Sequence, residues 1–128
     1  MDKSRGLFLV LDGVLSRSGS LDAGDQGRLR LPQGLAGALR DFRALGYRIF
    51  GIRLGGEGPL QGLEFDFDEV IVADQGGWAF PEAAWSLSRR YSLNVHGSML
   101  CSRDEGHEGW ARDAGLRRFE TPAALFGL

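Results

Sequence analysis

The chain of 128 residues is poor in several residue types, and each scarcity narrows what it can be. A single cysteine, Cys101, rules out an internal disulfide. It lies in an apolar run and reads as a small buried hydrophobe, which fits the cytoplasm as the expected compartment. No apolar stretch is long enough to cross a bilayer. Residues 1–6 are polar, and the short apolar run after them lacks a cleavage site, so no secretory signal is expected. A net charge of −2 gives no electrostatic case for nucleic acid or a membrane surface as partner. Lysine is almost missing: Lys3 is the only one among 15 basic residues, while glycine is abundant at 20. A genome rich in G and C accounts for both biases. The arginines that remain are nevertheless better suited than lysine to recognising anions.

What is present is the composition of one ordinary globular domain spanning residues 1–128, 43% hydrophobic and 25% charged. Leu7 to Leu11 is continuously apolar, the pattern of a strand covered on both faces of a parallel sheet. Ser16 to Arg28 reads as loop, and Arg28 to Leu31 as half of a small hairpin. Pro32 opens a helix with Leu35, Leu39, Phe42 and Leu45 on one face and Gly46 placed to cap it.

Tyr47 to Ile52 is a second strand, Leu54 to Gly62 a glycine-rich loop, and Asp68 to Ala73 a third strand. A helix starts at Pro81 with Ala84, Leu87 and Tyr91 inward. Ser98 to Ser102 is a fourth strand, and Asp104 is an N-cap for a helix to Asp113, closed by Ala114 and Gly115. Arg117 to Glu120 makes a fifth strand at an edge, and Thr121-Pro122 begins a last helical turn. Strand and helix alternate, which predicts a doubly wound parallel α/β sheet.

The segment Leu7-Phe8-Leu9-Val10-Leu11-Asp12-Gly13-Val14-Leu15 resembles the first strand and catalytic loop of the haloacid dehalogenase (HAD) superfamily. Its nearest likeness is the small branch of histidinol-phosphate and heptose-bisphosphate phosphatases. The resemblance implies an HAD-like Rossmannoid fold, a five-stranded parallel sheet flanked by helices with no large cap domain. In that family the loop carries Asp, any residue, Asp, Gly; the first Asp attacks phosphorus and the second protonates the leaving group. Here Asp12 stands in the second place and Val10 in the first. An isopropyl group has no lone pair to attack with and no charge to hold Mg²⁺.

The later motifs depart in the same way. The hydroxyl expected at the end of the second strand is replaced by Arg53, and the Lys before the next helix by Trp78. The two acids expected after the fourth strand are replaced by Arg103 and His107, in register with Ala114-Gly115. The resemblance thus implies a catalytically degenerate, phosphatase-like pseudoenzyme without a metal cofactor, kept as a binding or interaction module. Its partner would be another protein, a second copy, or a small anionic or phosphorylated ligand.

Each site residue also has a plainer reading. Asp12 can cap a turn. Arg53 and Arg103 can neutralise Asp12 where a metal would otherwise sit, which is preferred over an anion pocket completed by Asp104, His107 and the helix N-terminus. His107 and His96 read as polar surface residues, His107 having no evident nucleophile to serve. Trp78, Phe80 and Trp85 are either core or an aromatic patch over the site mouth. The alternative function is an active phosphohydrolase with a displaced Mg²⁺ site at Asp12, Asp74 and Asp104.

Overall fold

The computed structural model describes residues 4–11, 16–17, 29–30, 34–54, 67–73 and 79–127, with the side chains of 16–17 and 29–30 left aside. Along the chain these form β1 (Arg5–Val10), β2 (Ser16–Arg17), β3 (Leu29–Arg30), α1 (Leu35–Ala44), β4 (Tyr47–Arg53) and β5 (Glu69–Val72). They continue with α2 (Phe80–Tyr91), β6 (Met99–Cys101), a 3₁₀ turn at Glu105–His107, α3 (Glu108–Ala114), β7 (Arg118–Glu120) and α4 (Pro122–Phe126). Five strands pair in the order β5-β4-β1-β6-β7, every pairing parallel. The doubly wound sheet expected from the sequence is therefore the architecture.

β1 lies at the centre because its side chains are apolar on both faces. Leu7, Leu9 and Leu11 pack on the side of α1, with Leu35, Leu39 and Ile49. Phe8 and Val10 pack on the side of α2 and α3, with Phe80, Leu87 and Ala111. None of the five β1-side residues is more than 1% exposed. Phe8 stacks on Phe50 at 5.2 Å and meets Phe80 edge-on at 5.4 Å, so one ring ties the central strand to β4 and α2. The strands also approach closely: a Cβ at Gly51 would come within 3.0 Å of Leu11 Cδ1.

Buried polar groups at the start of β1 are satisfied. Ser98 Oγ, fully buried, accepts from Gly6 N at 2.8 Å and donates to the Asn94 carbonyl at 2.7 Å. Helix ends obey the expected chemistry in part. Gly46, at φ +100°, follows α1, and Pro81 stands in the first turn of α2. α2 instead closes on Ser92, at φ 54°, the one non-glycine in the left-handed region among the described residues.

Four expectations need correcting. The first helix begins at Leu35 rather than Pro32, residues 31–33 lying outside the described residues. Ser16 and Arg17 pair with Leu29 and Arg30 as a two-residue antiparallel ladder, so the first part of the expected loop is strand. Asp104 caps a 3₁₀ turn by accepting from Gly106 N at 2.8 Å, and the α-helix proper starts only at Glu108. Ser98 and Ser102 flank the fourth strand instead of belonging to it. No helix among the described residues is long and apolar enough to cross a membrane.

Cys101 is fully buried in the sheet, and burial, with Glu120 nearby, pushes its thiol from an ordinary 9.0 up to about 12. The folded protein should therefore resist a thiol reagent such as 5,5′-dithiobis(2-nitrobenzoate) at pH 8 and react fully in denaturant. Stability should be unaffected by this group below about pH 9, where the thiol is neutral folded and unfolded, and should fall as pH rises from 9 towards 12. Replacing Phe8 by Ala should cost about 3–5 kcal/mol in urea denaturation.

Candidate functional site at the carboxyl edge of the sheet

The strand order puts β1 between β4 and β6, and the chain winds outward from it in both directions. In such sheets the crevice outside the carboxyl ends of the strands, where the winding reverses, is where ligands are held. Here that edge is made by Val10 and Leu11, by Arg53 and Leu54 after β4, and by the turn from Ser102 to His107 after β6. Asp12, Asp74 and Trp78 lie outside the described residues, so an ion pair between Asp12 and either arginine, and the alternative Mg²⁺ site, fall there too.

Val10 is the last residue of β1, paired with Ile52, and 1% exposed. Its isopropyl group belongs to the buried cluster of Phe8, Phe50, Ile52 and Phe80. The position is thus occupied by packing, which a carboxylate would disturb.

Arg53 and Arg103 do reach the same edge, from the strands on either side of β1, but their environments differ. Arg53 ends β4 half-buried, one guanidinium nitrogen shielded from solvent, and its carbonyl accepts from Ala73 N at 2.7 Å. The residue has a further interaction besides this one. Arg103 is exposed in the turn after β6. The two therefore do not make a symmetric clamp in this conformation.

His107 is the residue the sequence misread. It is not a surface histidine: its side chain is 13% exposed, bonded at one ring nitrogen and within ion-pair distance of a carboxylate at the other. Ser102 Oγ lies 2.7 Å from Nδ1, and Asp104 Oδ2 lies 3.4 Å from Nε2. The ring stacks on Trp110 at 3.8 Å, and Trp110 stacks in turn on Phe80. Ser102 Oγ also accepts from Asp104 N at 3.1 Å. A serine, a histidine and an aspartate in a row have the connectivity of a nucleophile, base and orienting acid. The burial decides against that use: Ser102 is 1% exposed, while Asp104 faces solvent at 66%. The network clamps its own turn. The signal available in the sequence was Ser102 followed two residues later by Asp104, a side-chain-to-backbone turn.

Of the two readings open for Trp78, Phe80 and Trp85, core or aromatic patch, the two described members divide. Phe80 is 1% exposed and in the core. Trp85 is 43% exposed on the outer side of α2 and donates from Nε1 to the Ala114 carbonyl at 2.9 Å, joining α2 to the end of α3. His96, as expected, lies exposed in a turn, its Nδ1 2.9 Å from the Gly115 carbonyl.

No family sequence model matches the chain, and no curated protein does. Solved structures do match. A cobalt-bound deoxy-D-mannose-octulosonate 8-phosphate phosphatase from Haemophilus influenzae superposes with a TM-score of 0.61 at 13% identity, over 92% of this chain and 68% of its own. A dehalogenase with an intermediate complex gives 0.65 at 12% identity, over 92% and 84%. An L-2-haloacid dehalogenase gives 0.55 at 20% identity, over 71% and 42%. The chain has the haloacid dehalogenase fold. An uncharacterized protein from Corynebacterium glutamicum, matched over 97% of this chain and 96% of its own with a TM-score of 0.61 at 19% identity, shows that the fold occurs at this small size. No large cap is evident on the HAD-type sheet described here, in line with the small-cap resemblance.

If Ser102 and His107 form one clamp, their removal should not be additive. Ser102→Ala leaves the Asp104 N–H and the His107 ring without their partner and should cost about 1–3 kcal/mol in urea denaturation. His107→Ala in that background should then cost less than it does alone, the difference being on the order of 0.5–3 kcal/mol.

Proposed function

We propose that the chain is a catalytically degenerate HAD-fold protein, a pseudo-phosphatase that works as a binding or interaction module. The observation that carries this reading is Val10: the place where the HAD resemblance expects the attacking carboxylate holds an isopropyl group packed in the core. Phosphoryl transfer needs a nucleophile and compensation for charge that develops on the phosphoryl oxygens. Val10 offers neither.

The donor set argues the same way for Mg²⁺, which favours several carboxylate or carbonyl oxygens. At the two positions after β6 where acids are expected stand Arg103, a cation, and His107, whose Nδ1 is bonded to Ser102 Oγ. Asp104 itself is spoken for: Oδ1 accepts from Gly106 N and Oδ2 faces His107. The described residues contain no group of three or more His, Cys, Asp or Glu placed to hold a metal. Arg103 and His107 in the places of two acids are a poor donor set for a divalent cation.

A small anionic or phosphorylated ligand is among the partners this reading allows, since Arg53 and Arg103 both stand at this edge. The scarcity of cysteine supports a cytoplasmic setting.

The purified protein should show no Mg²⁺-dependent turnover of a panel of phosphate esters. Turnover that survives rigorous purification and vanishes in Asp12→Asn would instead establish the displaced site around Asp12, Asp74 and Asp104. Val10→Asp should not restore activity, since the groups at Arg53, Arg103 and His107 would still be wrong and such groups act as a unit. That variant should also lose about 3–5 kcal/mol of stability at neutral pH, the cost of an unpaired buried carboxylate. The loss should shrink in acid, where the carboxyl is protonated, as read from urea denaturation at pH 7 and pH 4.

A further inference from the structure

The opposite edge of the sheet carries a surface that the reading above does not use. At the amino ends of β1, β4 and β5, three arginines bind two carboxylates and a fourth lies on a tyrosine ring. Arg43 Nη2 lies 3.0 Å and Arg48 Nη1 3.4 Å from the Asp68 carboxylate, which also accepts from Ile49 N at 2.7 Å. Arg90 Nη1 bonds Glu69 at 2.6 Å. Arg5 lies over the Tyr47 ring at 4.6 Å, and Arg48 over Tyr91 at 5.7 Å. All four arginines are exposed. Among the described residues the cluster thus sets four arginines against two carboxylates, on a chain whose net charge is −2.

Beside it stands Leu45, 68% exposed, the largest exposure among the described bulky apolar residues. An open hollow of ≈ 420 Å³ lies between Ser4, Arg43, Gly46, Tyr47, Arg48 and Asp68.

Part of this has a plain cause. Arg43 and Arg90 fall in the last turns of α1 and α2, where cations complement the helix dipole. Arg5 and Arg48 sit on strands and have no such reason, and neither does an exposed leucine in the turn from α1 to β4. Lone exposed leucines are unremarkable. This one stands two residues from Arg43 and three from Arg48, whose guanidinium groups are already held in place by Asp68. It has the make-up of an interface centre, and little rotamer freedom is left to lose on binding.

We propose that this amino-terminal edge, centred on Leu45 and Arg48, docks an acidic protein segment that carries an apolar side chain. The apolar group would cover Leu45 and its carboxylates would face Arg5, Arg43 and Arg48. Nucleic acid suits the surface less well, because Asp68 and Glu69 stand among the arginines and would repel a run of phosphates, and a bilayer would have to bury those same acids. The proposal holds whether or not the carboxyl edge is catalytically silent, so a positive phosphatase assay would leave it standing.

The test is a titration of the ¹⁵N-labelled full-length chain, followed by amide chemical shifts, with a set of short peptides in which Leu or Phe is flanked by Glu. Expected are shifts confined to Leu45, Gly46, Arg48 and their neighbours, with affinity falling by roughly tenfold between low and physiological salt. Leu45→Ser and Arg48→Gln should each weaken binding by about fivefold or more, with unchanged circular dichroism. Absence of shifts at this edge with every such peptide would overturn the proposal. So would equal or tighter binding of Lys-flanked peptides, of a single-stranded oligonucleotide or of phosphatidylserine vesicles. Shifts at these residues that grow with protein concentration alone would replace the acidic segment by a second copy of the chain.

Discussion

Burial of β1 from both faces is the constraint from which the rest of the molecule follows. A six-residue strand with an apolar side chain at almost every position can be satisfied only in the interior of a parallel sheet, with helices on both sides. That requirement brings α1 to the face of Leu7, Leu9 and Leu11, and α2 and α3 to the face of Phe8 and Val10. It also fixes which residues meet at the carboxyl edge, because the neighbours of a central strand deliver their ends beside its own. Arg53 and the turn beginning at Ser102 stand on either side of Val10 for that reason.

The two edges of the sheet solve their electrostatics differently. At the amino edge, carboxylates are wrapped by arginines: Asp68 takes two guanidinium groups and a backbone N–H. At the carboxyl edge the turn after β6 satisfies itself, with serine, histidine and aspartate bonded to one another and to the turn's backbone. A turn closed on itself in this way has few donors left for an ion. Exposed pairs of the first kind contribute little to stability, so their value lies in holding side chains in place.

Much of the fold was legible in the sequence because its signals are periodic and local. The continuous apolar run at Leu7 to Leu11, the stripes at Leu35 and Leu39 and at Ala84 and Leu87, and Gly46 after a helix each follow from geometry repeated over several residues. Boundaries were less legible where one residue competes for two roles. Asp104 can cap an α-helix or a 3₁₀ turn, and its bond to Gly106 N chose the latter. The site was only half readable. Val10 could be placed by counting along a motif, whereas the burial of His107 depends on Trp110, three residues on in α3, stacking against it, a neighbour given by helical spacing only once the 3₁₀ turn is known to run into α3. Leu45, placed on one helix face with Leu35 and Leu39, instead falls past the end of α1 and is exposed, and the exposure of Trp85 was not legible either.

Val10 bears on the direction in which such a chain can change. For a protein of this fold, exchanging a buried carboxylate for valine removes a desolvation cost and adds apolar packing, so it is downhill in stability terms. The return step must place a charge among Phe8, Phe50 and Phe80 before any partner is there to receive it, and it gains nothing until several other positions change as well. On the pseudo-phosphatase proposal, such a loss, easy in one direction and blocked in the other, behaves as a ratchet and leaves selection free to act on every other surface of the scaffold.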